Sequence, residues 1–271
     1  MAANVHDVIM LFGDSITQAG WAEDGFAARL AQVYARKLDV LNRGLSGYNT
    51  EWAIPVLEQM LATQQAQQHL PKVRLLVIWF GANDAVIKPF SQHVPLPKFI
   101  ENMKYMVQLL HSPDSSHYSP TTKIILITPP PVNTYQRSAD LASRNPPLEM
   151  DRLFETTKQY AEGVRDAAVA SNVAVADVWT AMWNGAGENE QALSRYLSDG
   201  LHLTHEGYTA SCSGPESVVR ADRDKIAYET LIETIAAEYP ELHYGNLRSV
   251  FPAWNEVDWA NPGPSVQKRE T

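Results

Sequence analysis

The sequence predicts an α/β chain built on a five-stranded parallel sheet, and three features predict it. Five strand-like segments recur between residues 5 and 178, alternating with segments of helical periodicity. The run Val73 to Phe80 is almost unbroken by polar residues, as a strand covered on both faces requires. The intervening segments are long enough for the right-handed crossovers that join parallel strands. One domain over residues 1–239 accounts for this alternation, and a tail over 240–271 differs from it in composition.

Residues 5–12 read as the first strand, ended by Gly13-Asp14-Ser15. Ala22 to Leu38 carries Phe26, Leu30, Val33 and Tyr34 at helical spacing. Asp39 to Asn42 is a short second strand, stopped by Arg43-Gly44-Leu45-Ser46-Gly47. Asn49 or Thr50 can cap the next helix, whose apolar face holds Ala53 or Ile54, Leu57, Met60 and Leu61. Val73 to Phe80 ends at Gly81-Ala82-Asn83-Asp84. After a proline-containing loop, Phe99, Met103, Met106, Val107 and Leu110 mark a helix. Lys123 to Thr128 is the fourth strand, halted by Pro129-Pro130-Pro131. The polar stretch to Leu148 reads as a loop over the site or on the surface. Glu149 to Ser171 reads as a helix with Leu153, Phe154, Tyr160, Ala161 and Val164 toward the core. Val173 to Val178 is the fifth strand, and Gly185 and Gly187 break the stretch from Trp179 to Tyr196 into short helical pieces. The Met and Trp residues along the helices read as core.

The 271 residues carry a net charge of −9, which disfavours a phosphate backbone, so nucleic acid is excluded as a partner. The lone cysteine, Cys212, permits no internal disulfide. No apolar run reaches a membrane-spanning length, and the first residues lack a basic leader. These features predict a reduced, cytoplasmic setting.

The strand ends of a parallel sheet lie along one edge, where ligands bind. Three such ends hold Gly or Ser with Asn or Asp, and a fourth segment holds Asp199-Gly200-Leu201-His202. Acyl transfer needs these groups. Ser15 supplies a nucleophile, His202 a base, and Asp199 a carboxylate to hold the imidazole. The N–H groups of Ser15 and Gly47 and the amide of Asn83 can receive an oxyanion.

On Gly13-Asp14-Ser15, Gly47, Gly81-Ala82-Asn83-Asp84 and Asp199-Gly200-Leu201-His202, the chain resembles the SGNH or GDSL-type serine hydrolases. The blocks occur in the family's order across residues 8–208. The resemblance implies a flavodoxin-like three-layer α/β/α sandwich, a Ser15–His202–Asp199 triad and an oxyanion hole completed by Gly47 and Asn83. The stretches Asn42 to Thr50, Ile127 to Pro131 and Leu197 to His202 narrow it to the subgroup like isoamyl acetate-hydrolysing esterases.

Two departures stand out. Ile16 replaces the usual leucine, a volume-conserving change. Residues 209–224, rich in Ser, Gly, Pro and charge, separate Glu206-Gly207-Tyr208 from the helical pattern that starts at Lys225. They read as an inserted loop whose deletion leaves activity.

His205 is a rival base, more simply a solvated residue at a helix start. His202 with His205 lacks the further ligands of a metal site. Asp14 reads as a turn or cap residue, Asp84 as a carboxylate that orders its loop, and Gly44 as a glycine demanded by the backbone. The aromatics Tyr244, Phe251, Trp254 and Trp259 predict that the tail packs as an arm, on its own body or on a second subunit in a homodimer.

The sequence thus predicts a serine esterase, in the esterase and lipase class, for small esters, without metal or organic cofactor, and the resemblance implies short-chain acetates among them. A thioesterase, lysophospholipase or carbohydrate acetylesterase shares the chemistry. A non-catalytic binding protein on the same scaffold is the alternative of another class.

Overall fold

The computed structural model of the chain describes residues 5–23, 25–204 and 226–269. The segment 209–224 and His205 lie outside the described residues. Five strands form one sheet: β1 (Val8–Gly13), β2 (Asp39–Gly44), β3 (Val73–Trp79), β4 (Lys123–Ile127) and β5 (Ala174–Ala176). Their order is β2-β1-β3-β4-β5, and every pairing is parallel.

Alternate residues of each central strand feed opposite layers. Ile9 and Leu11, Leu75 and Val77, and Ile125 and Ile127 face one core. It is closed by α2 (Phe26–Val33), α7 (Val178–Gly185) and α8 (Ile226–Glu238). Met10 and Phe12, Leu76 and Ile78, and Ile124 and Leu126 face the other. There α3 (Thr50–Met60), α4 (Leu96–His111) and α6 (Phe154–Ser171) supply Leu57, Phe99, Met103, Tyr160 and Val164. The result is a three-layer α/β/α sandwich, as predicted. Burial on both faces explains why the runs of β1, β3 and β4 are so apolar, whereas the edge strand β2 is only partly buried and mixed in sequence.

The strand order reverses between β1 and β3, and at that point an open parallel sheet leaves a crevice at its carboxyl edge. Gly13, the last residue of β1, is in register with Gly44 of β2 and Trp79 of β3. Three chain segments therefore emerge side by side: one from Asp14, one from Leu45 and one from Phe80.

Several elements differ from their predicted form. The stretch expected to be a loop up to Leu148 contains α5 (Thr134–Ser143), capped by Asn133, whose side chain accepts from Gln136 N. Only Arg137 and Leu141 of this helix are buried, which leaves too little apolar pattern to betray it. The sixth helix starts at Phe154 rather than Glu149. Residues 149–153 stay out of it because the guanidinium of Arg152 is buried against Ala82 O and Asn83. Leu153, expected in the core, is exposed. Trp21 and Trp52 are exposed as well, whereas Met103, Met106, Trp179 and Met182 are core residues.

The tail runs along the protein surface. Leu242 and Val250 are buried, Tyr34 Oη donates to Leu242 O at 2.9 Å, and Val250 N donates to Arg36 O at 2.8 Å. Trp254 and Trp259 meet edge to face and remain 75% and 79% exposed. Among the described residues, no helix is long and apolar enough to cross a membrane.

Candidate active site

Ser15 is the first residue of α1 (Ser15–Gln18), a single turn docked against the end of β2. Asp14 caps that turn by accepting from Ile16 N at 2.9 Å. Both neighbouring glycines are required by space. A Cβ on Gly13 would stand 2.1 Å from Thr17 Oγ1, and one on Gly44 would stand 2.0 Å from Gln18 N. Gly44 thus answers to close approach rather than to a left-handed φ. Asn42 completes the joint: its Nδ2 donates to Thr17 O at 2.7 Å while its Oδ1 accepts from Gly44 N.

His202 and Asp199 come from the loop beyond α7. Asp199 Oδ1 accepts from Leu201 N at 3.0 Å and His202 N at 2.8 Å, which folds the loop onto its own carboxylate. Gly200 sits at φ +81°, where an added Cβ would strike Arg137 N and Asn133 O at 2.5 Å. Only glycine fits there.

These elements place Ser15 Oγ 2.9 Å from His202 Nε2, and His202 Nδ1 2.9 Å from Asp199 Oδ2. An ionised carboxylate only accepts, so Nδ1 carries the proton and Nε2 presents its lone pair to the serine hydroxyl. The Asp199 carboxyl is held well below the usual range. Burial pushes it up, but the hydrogen bonds and charge of His202 outweigh burial. The His202 side chain remains 39% exposed, so a substrate can reach it.

Gly47 adopts φ +80°, and its carbonyl accepts from Gln92 Nε2 at 2.8 Å. Asn49 Nδ2 holds Gln92 O at 3.0 Å while Asn49 Oδ1 caps α3. The loop is fastened on its other side too: Leu45 N donates to Gly13 O and Ser46 N to Gln18 Oε1. Asn83, buried, gives one amide N–H to Tyr48 O at 2.9 Å, and its Oδ1 accepts from Arg152 Nη2 at 2.8 Å. That leaves one Nδ2 hydrogen for a ligand. Among the described residues the backbone N–H groups of Ser15 and Gly47 are given to no other group. The Gly47 loop is therefore fastened to the Ser15 turn on one side and to Asn83 on the other. All five sequence-predicted residues lie on this one rim.

Gln92, Arg137, Asp151 and Arg152 join the site without having been predicted. Their types carry no motif, and the site residues they hold, Gly47, Asn83 and Asp199, are remote from them in sequence. Asp84 orders its loop as expected: Oδ1 accepts from Thr50 N at 2.9 Å and Thr50 Oγ1 at 2.5 Å, and Asn102 Nδ2 supports that hydroxyl.

Asp84 is also a pH-dependent element. Burial pushes its carboxyl up to about 7, against the pull of the Thr50 hydrogen bonds; burial raises the Asp14 carboxyl to about 6. The unfolded chain ionises these groups near pH 4, so the folded state binds more protons between there and about 7. Their stabilising contribution is full at acid pH and is lost as pH rises through that window. Asp84→Asn keeps the oxygen that Thr50 needs. It should flatten the fall in stability between about pH 4 and 7 by up to about 1.4 kcal/mol per pH unit. Urea titrations at several pH values check this; parallel slopes for the two proteins would refute it.

Among the described residues no cluster of three or more His, Cys, Asp and Glu could hold a metal ion. The arrangement instead suits nucleophilic attack on a carbonyl, with proton transfer through an oriented imidazole.

Residues 11–210 match the profile of the GDSL-like Lipase/Acylhydrolase family. The chain is 37% identical over 201 residues to the bovine isoamyl acetate-hydrolyzing esterase 1 homolog, covering 73% of this chain and 76% of that protein. It is 37% identical over 267 residues to a GDSL esterase/lipase of Arabidopsis thaliana, covering 96% and 98%. Among solved structures, a lipase/acylhydrolase from Enterococcus faecalis aligns with a TM-score of 0.55 at 23% identity, over 90% of this chain and 98% of that one. A carbohydrate acetylesterase family member from Sinorhizobium meliloti aligns at 0.54 and 19% identity, over 85% and 98%. These two likenesses concern the fold.

Proposed function

Because the chain belongs to the GDSL-like lipase/acylhydrolase family, we propose that it is a carboxylic ester hydrolase acting on small acetate esters through an acyl-serine intermediate. The observation that carries this reading is the unbroken line from Ser15 Oγ through both nitrogens of His202 to Asp199. The identity to an isoamyl acetate-hydrolyzing esterase homolog supports the acetate preference.

In this reading His202 Nε2 takes the hydroxyl proton as Ser15 Oγ attacks the ester carbonyl. The oxyanion receives the N–H groups of Ser15 and Gly47 and the free hydrogen of Asn83 Nδ2. As the tetrahedral intermediate collapses, His202 protonates the departing alkoxide, and the alcohol leaves. Water then gives a proton to the same nitrogen as it attacks the acyl-serine, and when this second intermediate collapses His202 returns that proton to Ser15 Oγ and the acid is released. Asp199 holds the ring and stabilises its cationic form throughout.

A graded panel tests the proposal: p-nitrophenyl acetate, butyrate and octanoate, beside acetyl-CoA and acetylated xylose, with fluorophosphonate labelling of the whole chain. The expected result is labelling of Ser15 and highest kcat/KM on acetate. Preference for octanoate, the thioester or the acetylated sugar would move the substrate class. An unlabelled, inactive protein would sink the esterase reading.

A further inference from the structure

Two buried arginines connect the halves of the site. Arg152 is 3% exposed and Arg137 is 5% exposed. Arg152 Nε donates to Ala82 O at 2.8 Å, Nη2 donates to Asn83 Oδ1 at 2.8 Å, and Nη1 donates to Asp151 Oδ2. Arg137 holds the same Asp151 with Nε at 3.1 Å and Nη2 at 2.8 Å, and its Nη1 donates to Asp199 Oδ2 at 3.0 Å. Asn83, Arg152, Asp151, Arg137 and Asp199 thus form one continuous polar chain beneath the rim.

Each end of that chain decides an orientation. An amide can turn over, exchanging its oxygen and nitrogen at little cost in shape. Arg152 offers only donors, so it forces Oδ1 inward and leaves Nδ2 for Tyr48 O and a ligand. At the other end the Asp199 carboxylate accepts from Leu201 N and His202 N on Oδ1, and from His202 Nδ1 and Arg137 Nη1 on Oδ2. Its lone pairs are filled, and the plane of the carboxylate is fixed. Asp151 bridges two like charges. Burial pushes its carboxyl up, but the Arg137 hydrogen bonds and the charge of Arg152 outweigh burial and keep it ionised.

We propose that Arg152 and Arg137, coupled by Asp151, are positioning residues that set the aim of the Asn83 amide and the Asp199 carboxylate as one unit. This rests on the esterase reading above. Arg152 acts through Asn83, so its removal should matter only while that amide is present. Arg137 acts through Asp199 in the same way.

The experiment is a pair of double-mutant cycles on p-nitrophenyl acetate hydrolysis, Arg152→Met with Asn83→Ala and Arg137→Met with Asp199→Ala. Arg152→Met should lower kcat about 10- to 100-fold and change KM by less than about threefold. In the Asn83→Ala background the same change should cost less than about threefold. Arg137→Met should lower kcat about tenfold, and that cost should vanish beside Asp199→Ala.

Arg152→Lys and Arg137→Lys are measured in parallel, since each keeps the charge but cannot reproduce the forked contacts. They should show the same pattern with a smaller loss, and they decide the matter should the methionine variants fail to fold. Costs that add in full across either cycle, or losses confined to KM, would overturn the proposal while leaving the esterase reading intact. Loss of that reading would show differently, as a wild-type protein that neither turns over the ester nor labels at Ser15.

Discussion

Ser15→Ala is expected to lower kcat/KM for p-nitrophenyl acetate by about 10⁵-fold without changing the melting temperature by more than a degree or two. The size reflects what the hydroxyl does. It is the protein atom that bonds to the acyl group in the proposed route, and its proton is already aimed at His202 Nε2. His202→Ala should cost nearly as much, and the double variant little more than either alone, because the two groups act in one step. The fold should survive because, among the described residues, Ser15 Oγ hydrogen-bonds to the imidazole alone, and the turn is capped by Asp14 instead. Stopped-flow or long-time hydrolysis assays, with fluorophosphonate labelling beside them, measure the loss. Retained turnover in Ser15→Ala would transfer the chemistry to another group.

Gly44→Ala should have the second largest effect, and it acts on the scaffold. The added methyl would stand 2.0 Å from Gln18 N and 2.4 Å from Gln18 Cα, and backbone cannot swing aside as a side chain can. Overpacking against backbone should cost at least about 3 kcal/mol, or roughly 10 °C in melting temperature. Relief requires α1 to move off β2, and α1 carries Ser15. A displacement near 1 Å costs on the order of 100-fold in rate, so activity should fall even where the variant remains folded. Gly263→Ala, with nothing among the described residues within 4 Å of its added Cβ, is the control and should be silent in both assays. A Gly44→Ala protein as stable and active as the parent would mean that α1 does not press on the strand end.

The central strands were readable from sequence because burial on both faces leaves nearly pure apolar runs, as in Leu75 to Phe80. The rim residues were readable because each lies just past a strand end or in a short motif. The elements that escaped did so for physical reasons. Helix α5 buries Arg137 and Leu141 alone, so no apolar stripe announces it. The Arg137–Asp199 contact spans 62 positions, and nothing local marks either residue as the other's partner. Arg152 interrupts a segment that otherwise passes for the start of a helix, and only the three-dimensional site explains why that start is delayed until Phe154. Gly44 was visible as a required glycine, but the reason, a neighbouring turn pressed against it, belongs to tertiary structure.

The two members of the Ser15–His202 hydrogen bond stand 187 positions apart, near opposite ends of the α/β domain. During translation the nucleophile leaves the ribosome long before its base. The growing polypeptide therefore carries a serine without its base until the loop of Asp199 and His202 docks. Its reactive form can appear only when the whole layered body has closed, and a fragment cut anywhere between the two would be chemically mute.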